Sequence, residues 1–352
     1  MTPEKQYAIP MGATVLVTGA NGFIGSHVCN ELLQLGFNVR GSVRDVERCM
    51  WLPKALESQN PKGKFMLVSL PDMEKEGAFD SLVEGVSAVI HIASPFSFSS
   101  NPECVIPSSV NAAINALKAA NKSQSVKRFV FTSSAVAAAL PKPNMSGIVV
   151  TADSWNTHSV GIAWREAPCH PQRAWHVYAA SKVEAETAVW KFNYENIRRR
   201  YDLVINTVLP GTNFGKTLDT VNQGHPSTSS FIESLWNGTH LDQLASIPPQ
   251  YFVDVQDTAR LHVAGAVLPN VRNERIFALA ETFNFDTVLE ILRKQFPGKD
   301  FVDDFHHYQE TSTASELRSR ASDLLRQLGR DGFVSLEQSV LLNIEDQTMA
   351  QP

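Results

Sequence analysis

Ala13-Thr-Val-Leu-Val-Thr-Gly-Ala-Asn-Gly-Phe-Ile-Gly25 decides the fold. Residues 14–18 form a short, β-branched, apolar run, the composition of a strand buried on both faces of a parallel sheet. The run passes straight into Gly19, Gly22 and Gly25. It then enters Ser26-His-Val-Cys-Asn-Glu-Leu-Leu-Gln-Leu, which is apolar at a helical period. A strand, a glycine turn and a helix in that order make an anion site. Glycines let the backbone turn tightly against a pyrophosphate, and the free N–H groups at the helix start point at it. The spacing is G-x-x-G-x-x-G rather than G-x-G-x-x-G, so the flanking strand and helix carry the prediction of a dinucleotide site. Its contacts are expected at Gly19, Asn21, Gly22, Phe23, Ile24 and Gly25.

Strand and helix signals alternate outward from this unit. Residues 37–43, 65–68, 86–92, 128–132 and 203–209 read as further strands, and residues 46–56, 107–121 and 175–200 as helices. Residues 141–171, rich in Pro, Trp and Ser, interrupt the rhythm as an irregular excursion. The pattern predicts an α/β fold, a Rossmann-type doubly wound parallel sheet, over residues 1–210. Beyond Pro210 the alternation loosens. Helices are expected at residues 228–236, 253–268, 285–296 and 313–328, with Asp254 or Asp257 at the cap or first turn of the second. Residues 211–352 are read as a smaller C-terminal substrate domain, with the chain crossing back to the large one near 251–268.

The bulk composition fits a globular enzyme: 352 residues, 43% apolar and 19% charged, with net charge −5. Arg198-Arg-Arg200 is the one basic cluster, and it falls at a predicted helix C-terminus, where cations are favoured in any case. A nucleic-acid partner is therefore not expected. The first ten residues hold no apolar signal core, and no stretch of about 18 apolar residues occurs, so a cytoplasmic protein without a membrane span is expected, as monomer or homodimer. Cys29, Cys49, Cys104 and Cys169 lack C-x-x-C spacing and read as reduced thiols. Two motifs are discounted. Gly211-Thr-Asn-Phe-Gly-Lys-Thr217 has three residues between its glycines where a P-loop has four. His306-His307 beside Asp303-Asp304 cannot easily bring both rings to one ion, and no metal is expected.

Tyr178-Ala-Ala-Ser-Lys182 is the sole Y-x-x-x-K of the chain. On a helix, positions i and i+4 share a face, so phenol and ammonium can enter the same cleft. A nearby ammonium is expected to lower the phenol pKa and make Tyr178 a general acid/base for a carbonyl oxygen. Phe131-Thr-Ser-Ser134 ends a strand, where ligands sit in open α/β sheets, and a serine there can hold the same oxygen. Glycine turn, strand-end serine and later Y-x-x-x-K, in that order, are far more specific together than any one alone.

With these pieces the whole chain resembles the extended short-chain dehydrogenase/reductases. The resemblance is strongest to dihydroflavonol-reductase-like enzymes and fungal NADPH-dependent aldehyde and carbonyl reductases. It rests on Val15-Leu-Val-Thr-Gly-Ala-Asn-Gly-Phe-Ile-Gly25, Val39-Arg-Gly-Ser-Val-Arg44, His91-Ile-Ala-Ser94, Lys127-Arg-Phe-Val-Phe-Thr-Ser-Ser134, Pro141-Lys-Pro143, the Tyr178 motif and Pro248-Pro-Gln-Tyr251. It implies Ser134 as catalytic serine, with Ser133 an open alternative, Tyr178 as proton donor, and Lys182 as both tyrosine tuner and ribose ligand. The family pattern N-V-x-G-T-x-N stands here as Ser109-Val-Asn-Ala-Ala-Ile-Asn115, and the change to Ser109 puts a proton relay through that position in doubt.

Arg40 and Arg44 bracket the end of the second strand, where arginine selects the 2′-phosphate of NADPH and an acid selects NAD. Asp45 is the competing acid, and the arginine pair favours NADPH. The resemblance further places Asp72 and Met73 at the adenine, Ile92, Ala93 and Ser94 at the nicotinamide ribose, and Leu209-Pro210 at the carboxamide, with Thr132 a further cofactor contact. Phe96, Phe98, Trp175, Val177, Phe214, Phe231, Ile247 and Gln250 are expected to enclose a small carbonyl substrate with Ser134. The expected reaction is NADPH-dependent reduction of aldehydes and ketones. The alternatives are a dihydroflavonol- or steroid-type dehydrogenase, a sugar-nucleotide epimerase, or a non-catalytic dinucleotide-binding redox sensor.

Overall fold

The computed structural model describes residues 6–58, 60, 62–95, 99–141, 149–165, 173–307 and 314–349. In chain order the first portion runs β1 (Thr14–Thr18), α1 (Phe23–Gln34), β2 (Asn38–Val43), α2 (Trp51–Glu57), β3 (Phe65–Ser69), β4 (Ala88–His91), α3 (Pro102–Lys122), β5 (Arg128–Thr132), α4 (Thr157–Ala163), α5 (Arg173–Glu195) and β6 (Val204–Pro210). The second portion runs β7 (Thr212–Phe214), α6 (Thr220–Gln223), α7 (Ser229–Asn237), α8 (Leu241–Ala245), β8 (Gln250–Asp254), α9 (Val255–Val267), β9 (Arg275–Ala278), β10 (Glu281–Phe283), α10 (Phe285–Gln295), α11 (Ser315–Gln327), α12 (Leu336–Asn343) and α13 (Glu345–Met349).

Seven strands form one parallel sheet in the order β3-β2-β1-β4-β5-β6-β9. The order reverses at β1, and the crevice at the carboxyl ends of β1 and β4 is where such sheets bind ligands. The six anticipated strands all appear within a residue or two of their expected limits. The seventh, β9, has no comparable signal, because its four residues follow α9 without a strand-length apolar run.

Helix α2 begins at Trp51 rather than at residue 46, after a short 3₁₀ turn at Glu47–Cys49, and three further departures from expectation have identifiable reasons. Helix α3 starts at Pro102, not Pro107, because Asn101 caps it by accepting from the Glu103 N–H, and proline is well suited to the first helical position. Helix α5 ends at Glu195, not Arg200. The Asn196 side chain bonds the Arg198 N–H, a local turn that competes with the helix. The arginines beyond it clamp neighbouring carbonyls: Arg199 reaches Asn193 O and Arg200 reaches Ser123 O and Val126 O. Inside the expected irregular excursion lies one ordered helix, α4, capped by the Asn156 side chain on the Ser159 N–H.

The second portion divides its packing. The strands β7, β8 and β10 make a small three-stranded sheet backed by Phe214, Phe252 and Phe283, which are stacked or edge-on at 4.9–6.2 Å. Helix α9, by contrast, lies against α1 under the large sheet. A Cβ on its Gly265 would come within 3.3 Å of Val130 Cγ2, so the helix packs almost backbone-close on β5. Asp254 caps α9 by accepting from the Gln256 N–H, and Asp257 follows in its first turn. With β9, α9 belongs to the large sheet's layer. No helix among the described residues is long and apolar enough to cross a membrane.

Candidate active site

The glycine turn is a cradle that side chains would fill. Gly19 has φ of 67°, a left-handed conformation that favours glycine, and its Cα hydrogen faces the Ala93 backbone at the exit of β4. A Cβ on Gly25 would fall 2.0 Å from Gly19 O. Helix α1 begins at Gly22 with no side-chain cap and no acid in its first turn, so its leading N–H groups are left to face an anion. These features fit a dinucleotide pyrophosphate.

Around the expected 2′-phosphate position, two side chains are already engaged. Arg40 sits mid-strand in β2, and its guanidinium donates to Leu82 O (2.7 Å) and Glu84 O (2.9 Å). That corrects its expected role as a phosphate ligand: it fastens the turn before β4. Arg44, the first residue past β2, is exposed, and Asp45 accepts the Arg48 N–H at 3.2 Å rather than standing as a lone acid. Arg48, in the short 3₁₀ turn Glu47–Cys49 that follows β2, is a second exposed cation not among the expected contacts. The strand end thus places two exposed arginines within five residues, where a phosphate could take both, with Asp45 engaged by the Arg48 N–H.

Along the crevice, Thr18 organises the exit of β4. Its hydroxyl accepts the Ile92 and Ala93 N–H groups, both at 3.0 Å, and donates to His91 Nδ1 at 2.9 Å. Asp72 caps its own turn through the Glu74 N–H, while Asn115 of α3 holds Met73 O and Glu74 O. Ser94, three residues past β4, is half-buried, Pro210 lines the cavity at the end of β6, and Leu209 beside it is fully buried. Thr132 departs from expectation: its hydroxyl donates to His262 Nε2 of α9 at 2.8 Å, on the face of the sheet away from the cleft residues.

The two serines separate cleanly. Ser133 is buried and donates to the Glu186 carboxylate at 2.7 Å, whereas Ser134 is half-buried and hydrogen-bonded to Tyr178. Lys182 stands one turn along α5 from Tyr178 and is nearly enclosed. The expected depression of the tyrosine pKa is not what the site shows. Burial raises Tyr178, the Ser134 hydrogen bond partly opposes the rise, and burial lowers Lys182 to about 8. A phenol kept protonated is a loaded acid.

Ser134 and Tyr178 open into a cavity that continues into solvent. Trp175, Phe231, Ile247 and Gln250 line it as expected, joined by Leu140, Val150, Tyr251 and Phe277. Val177 does not: it is fully buried with Val105, Ile106 and Ala163 between α5, α3 and α4. One residue away from Tyr178 on a helix is a different face. Phe214 likewise belongs to the core of the small sheet. Phe96 and Phe98 lie outside the described residues.

The chain is similar to known proteins along most of its length. The chain is 41% identical over 336 residues to aldehyde reductase 2 of Sporidiobolus salmonicolor, covering 94% of this chain and 95% of that one. It is 32% identical over 298 residues to the NADPH-dependent methylglyoxal reductase GRE2 of Saccharomyces cerevisiae, covering 81% and 83%. Among solved structures, Gre2 of Candida albicans in complex with NADPH superposes with a TM-score of 0.77 at 26% identity, over 97% of this chain and all of that one. Residues 15–279, from the first strand to the edge of the cavity, match the sequence pattern that such proteins share, so that by fold, site order and sequence alike the chain belongs to the NAD dependent epimerase/dehydratase family.

Proposed function

We propose that the protein is an NADPH-dependent reductase of aldehydes and ketones. One observation carries the reading: the hydrogen-bonded Ser134–Tyr178 pair opens into a largely apolar cavity at the same sheet edge as the glycine turn. The similarity to aldehyde and methylglyoxal reductases supports it. The glycine turn would hold NADPH, with the exposed Arg44 and Arg48 available to its 2′-phosphate, and the nucleotide would supply the hydride when bound. Tyr178 donates its proton to the carbonyl oxygen as charge builds there, and Ser134 hydrogen-bonds the same oxygen and fixes its direction. Lys182 presents positive charge on the face of Tyr178, which stabilises the phenolate left behind. Trp175, Phe231 and Ile247 orient an apolar carbonyl compound and keep water off the reacting atoms. The free thiols Cys29, Cys49 and Cys104 are consistent with a cytosolic setting, the one we assign.

Tyr178→Phe tests the assignment, because it keeps the ring and removes the proton. Carbonyl-dependent oxidation of NADPH, followed by absorbance, is expected to fall by about 10²–10⁴-fold with NADPH binding retained. Wild-type turnover by the variant would exclude Tyr178 as the donor.

A further inference from the structure

Tyr178, Lys182 and Glu186 recur at every fourth position of α5 and so rise in one column along its face. The first two belong to the reaction; the third is not used by it. Glu186 is fully buried, and its carboxylate accepts from Ser133 Oγ (2.7 Å), Thr207 Oγ1 (2.8 Å), Trp190 Nε1 (3.2 Å) and Arg275 Nε (2.8 Å). Arg275 comes from β9 and is itself layered over the Trp155 ring at 3.9 Å, with donations to Ala152 O and Ser154 O. A buried ion pair is a poor fastening in itself, since apolar side chains of the same volume often stabilise as well or better. Its placement suggests another use. One donor, Ser133, immediately precedes Ser134. Arg275 grips the stretch next to Val150 of the cavity wall, and the carboxylate sits one turn from Lys182.

We propose that Glu186 is a positioning residue: with Arg275 it sets the charge of Lys182 and the seat of Ser134 without touching substrate or cofactor. This rests on the reductase reading above. Glu186 is the negative group that opposes the desolvation of Lys182. Among the described residues, the other charged or titratable neighbours are few. Tyr178 shares the helix; His91, at the end of β4, is kept neutral by burial and by Lys182; and Arg275 stands behind Glu186. The buried faces of α3 and α4 bring Ser109, Ser159 and otherwise apolar side chains or Pro102.

The test reads Lys182 itself, in protein without added cofactor or substrate. Lysine ¹³Cε resonances are followed against pH, with Lys182 assigned by its loss in Lys182→Arg. Glu186→Gln removes the negative charge and leaves Arg275 unpaired, so the Lys182 midpoint is expected to fall by about one pH unit. Arg275→Met leaves the carboxylate uncompensated and is expected to move the midpoint upward. The high-pH limb of kcat for carbonyl reduction should follow in the same two directions. Folded Glu186→Gln with an unmoved Lys182 midpoint overturns the proposal, as do two variants that shift it the same way. If Glu186→Gln does not fold, an unmoved midpoint in Arg275→Met overturns it equally. Opposite midpoint shifts in a protein that reduces no carbonyl would leave the Glu186 assignment standing and reject the reductase reading.

Discussion

Ser133 and Ser134 sit side by side at the end of β5 with opposite surroundings, one against the buried Glu186 carboxylate and the other at the cavity beside Tyr178. Their substitutions should therefore fail in different ways. Ser134→Ala is expected to lower kcat by about 10–100-fold with little change in thermal midpoint, because it removes one hydrogen bond to the reacting oxygen. Ser133→Ala takes a donor from a buried charged acceptor and is expected to cost about 1–3 kcal/mol of stability, with the smaller effect on kcat. Denaturant melts and steady-state rates of the two variants check this, and the reverse pattern would reassign the catalytic serine. The sequence leaves the pair open because side chains alternate along a strand, and which serine faces the cleft depends on where the strand stops. Arg40 illustrates the same limit. Its position near a strand end is legible, but its engagement by Leu82 O and Glu84 O is a contact across 42 residues or more that no local pattern reveals. The direction of the Tyr178 pKa departs from expectation for a related reason. Spacing shows which charge is near, whereas desolvation depends on everything that closes over the site.

Elements with a strong period are legible in the sequence, β1 and its glycine turn above all, because local chemistry and tertiary placement agree there. The short elements of the second portion are not. Strands β7, β8 and β10 have three to five residues each, too few to show alternation, and α6 has four. Yet α6 bears on the site. Its Gln223 carboxamide donates to Asn21 O (2.9 Å), Gly22 O (3.4 Å) and Ser26 Oγ (3.2 Å), and its oxygen accepts the Asp219 N–H. The small helix thus clasps the glycine turn from outside, while His27 of α1 donates to Lys216 O nearby. Gln223→Ala is expected to weaken NADPH binding by about tenfold, the equivalent of one to two hydrogen bonds at a partly exposed site. Because the clasp holds backbone rather than the 2′-phosphate, NADH binding should weaken by the same factor. Fluorescence titration with both nucleotides checks the pair, and a loss confined to NADPH would place Gln223 at the phosphate instead.

Across the whole molecule, buried neutral histidines tie neighbouring elements together. His262 ties α9 to β5 through Thr132, His91 joins β4 to β1 through Thr18, and His27 joins α1 to the second portion. Burial lowers their pKa values to about 4, 3 and 4 respectively. Each folded-state value lies below the unfolded one, so the unfolded chain takes up these protons first and stability falls as pH drops below about 6.5. A buried acidic cluster works in the opposite direction. Asp254, bonded to Ser339 of α12, is raised to about 6, and Asp257 and Glu31, paired with Arg260, are raised as well. A raised carboxyl binds its proton in the folded state, so its unfavourable burial is relieved on acidification. Between pH 6.5 and 5 the three histidines cost about 5 kcal/mol together, and Asp254 returns about 1 kcal/mol. Glu31 and Asp257 return less, because Arg260 still favours their ionised forms. The histidines win, and the unfolding free energy is expected to fall by about 2–4 kcal/mol over that interval. Urea melts at half-unit pH steps measure it. A flat profile would mean that the acidic cluster under α12 balances the histidine joints, and a rising one that it outweighs them.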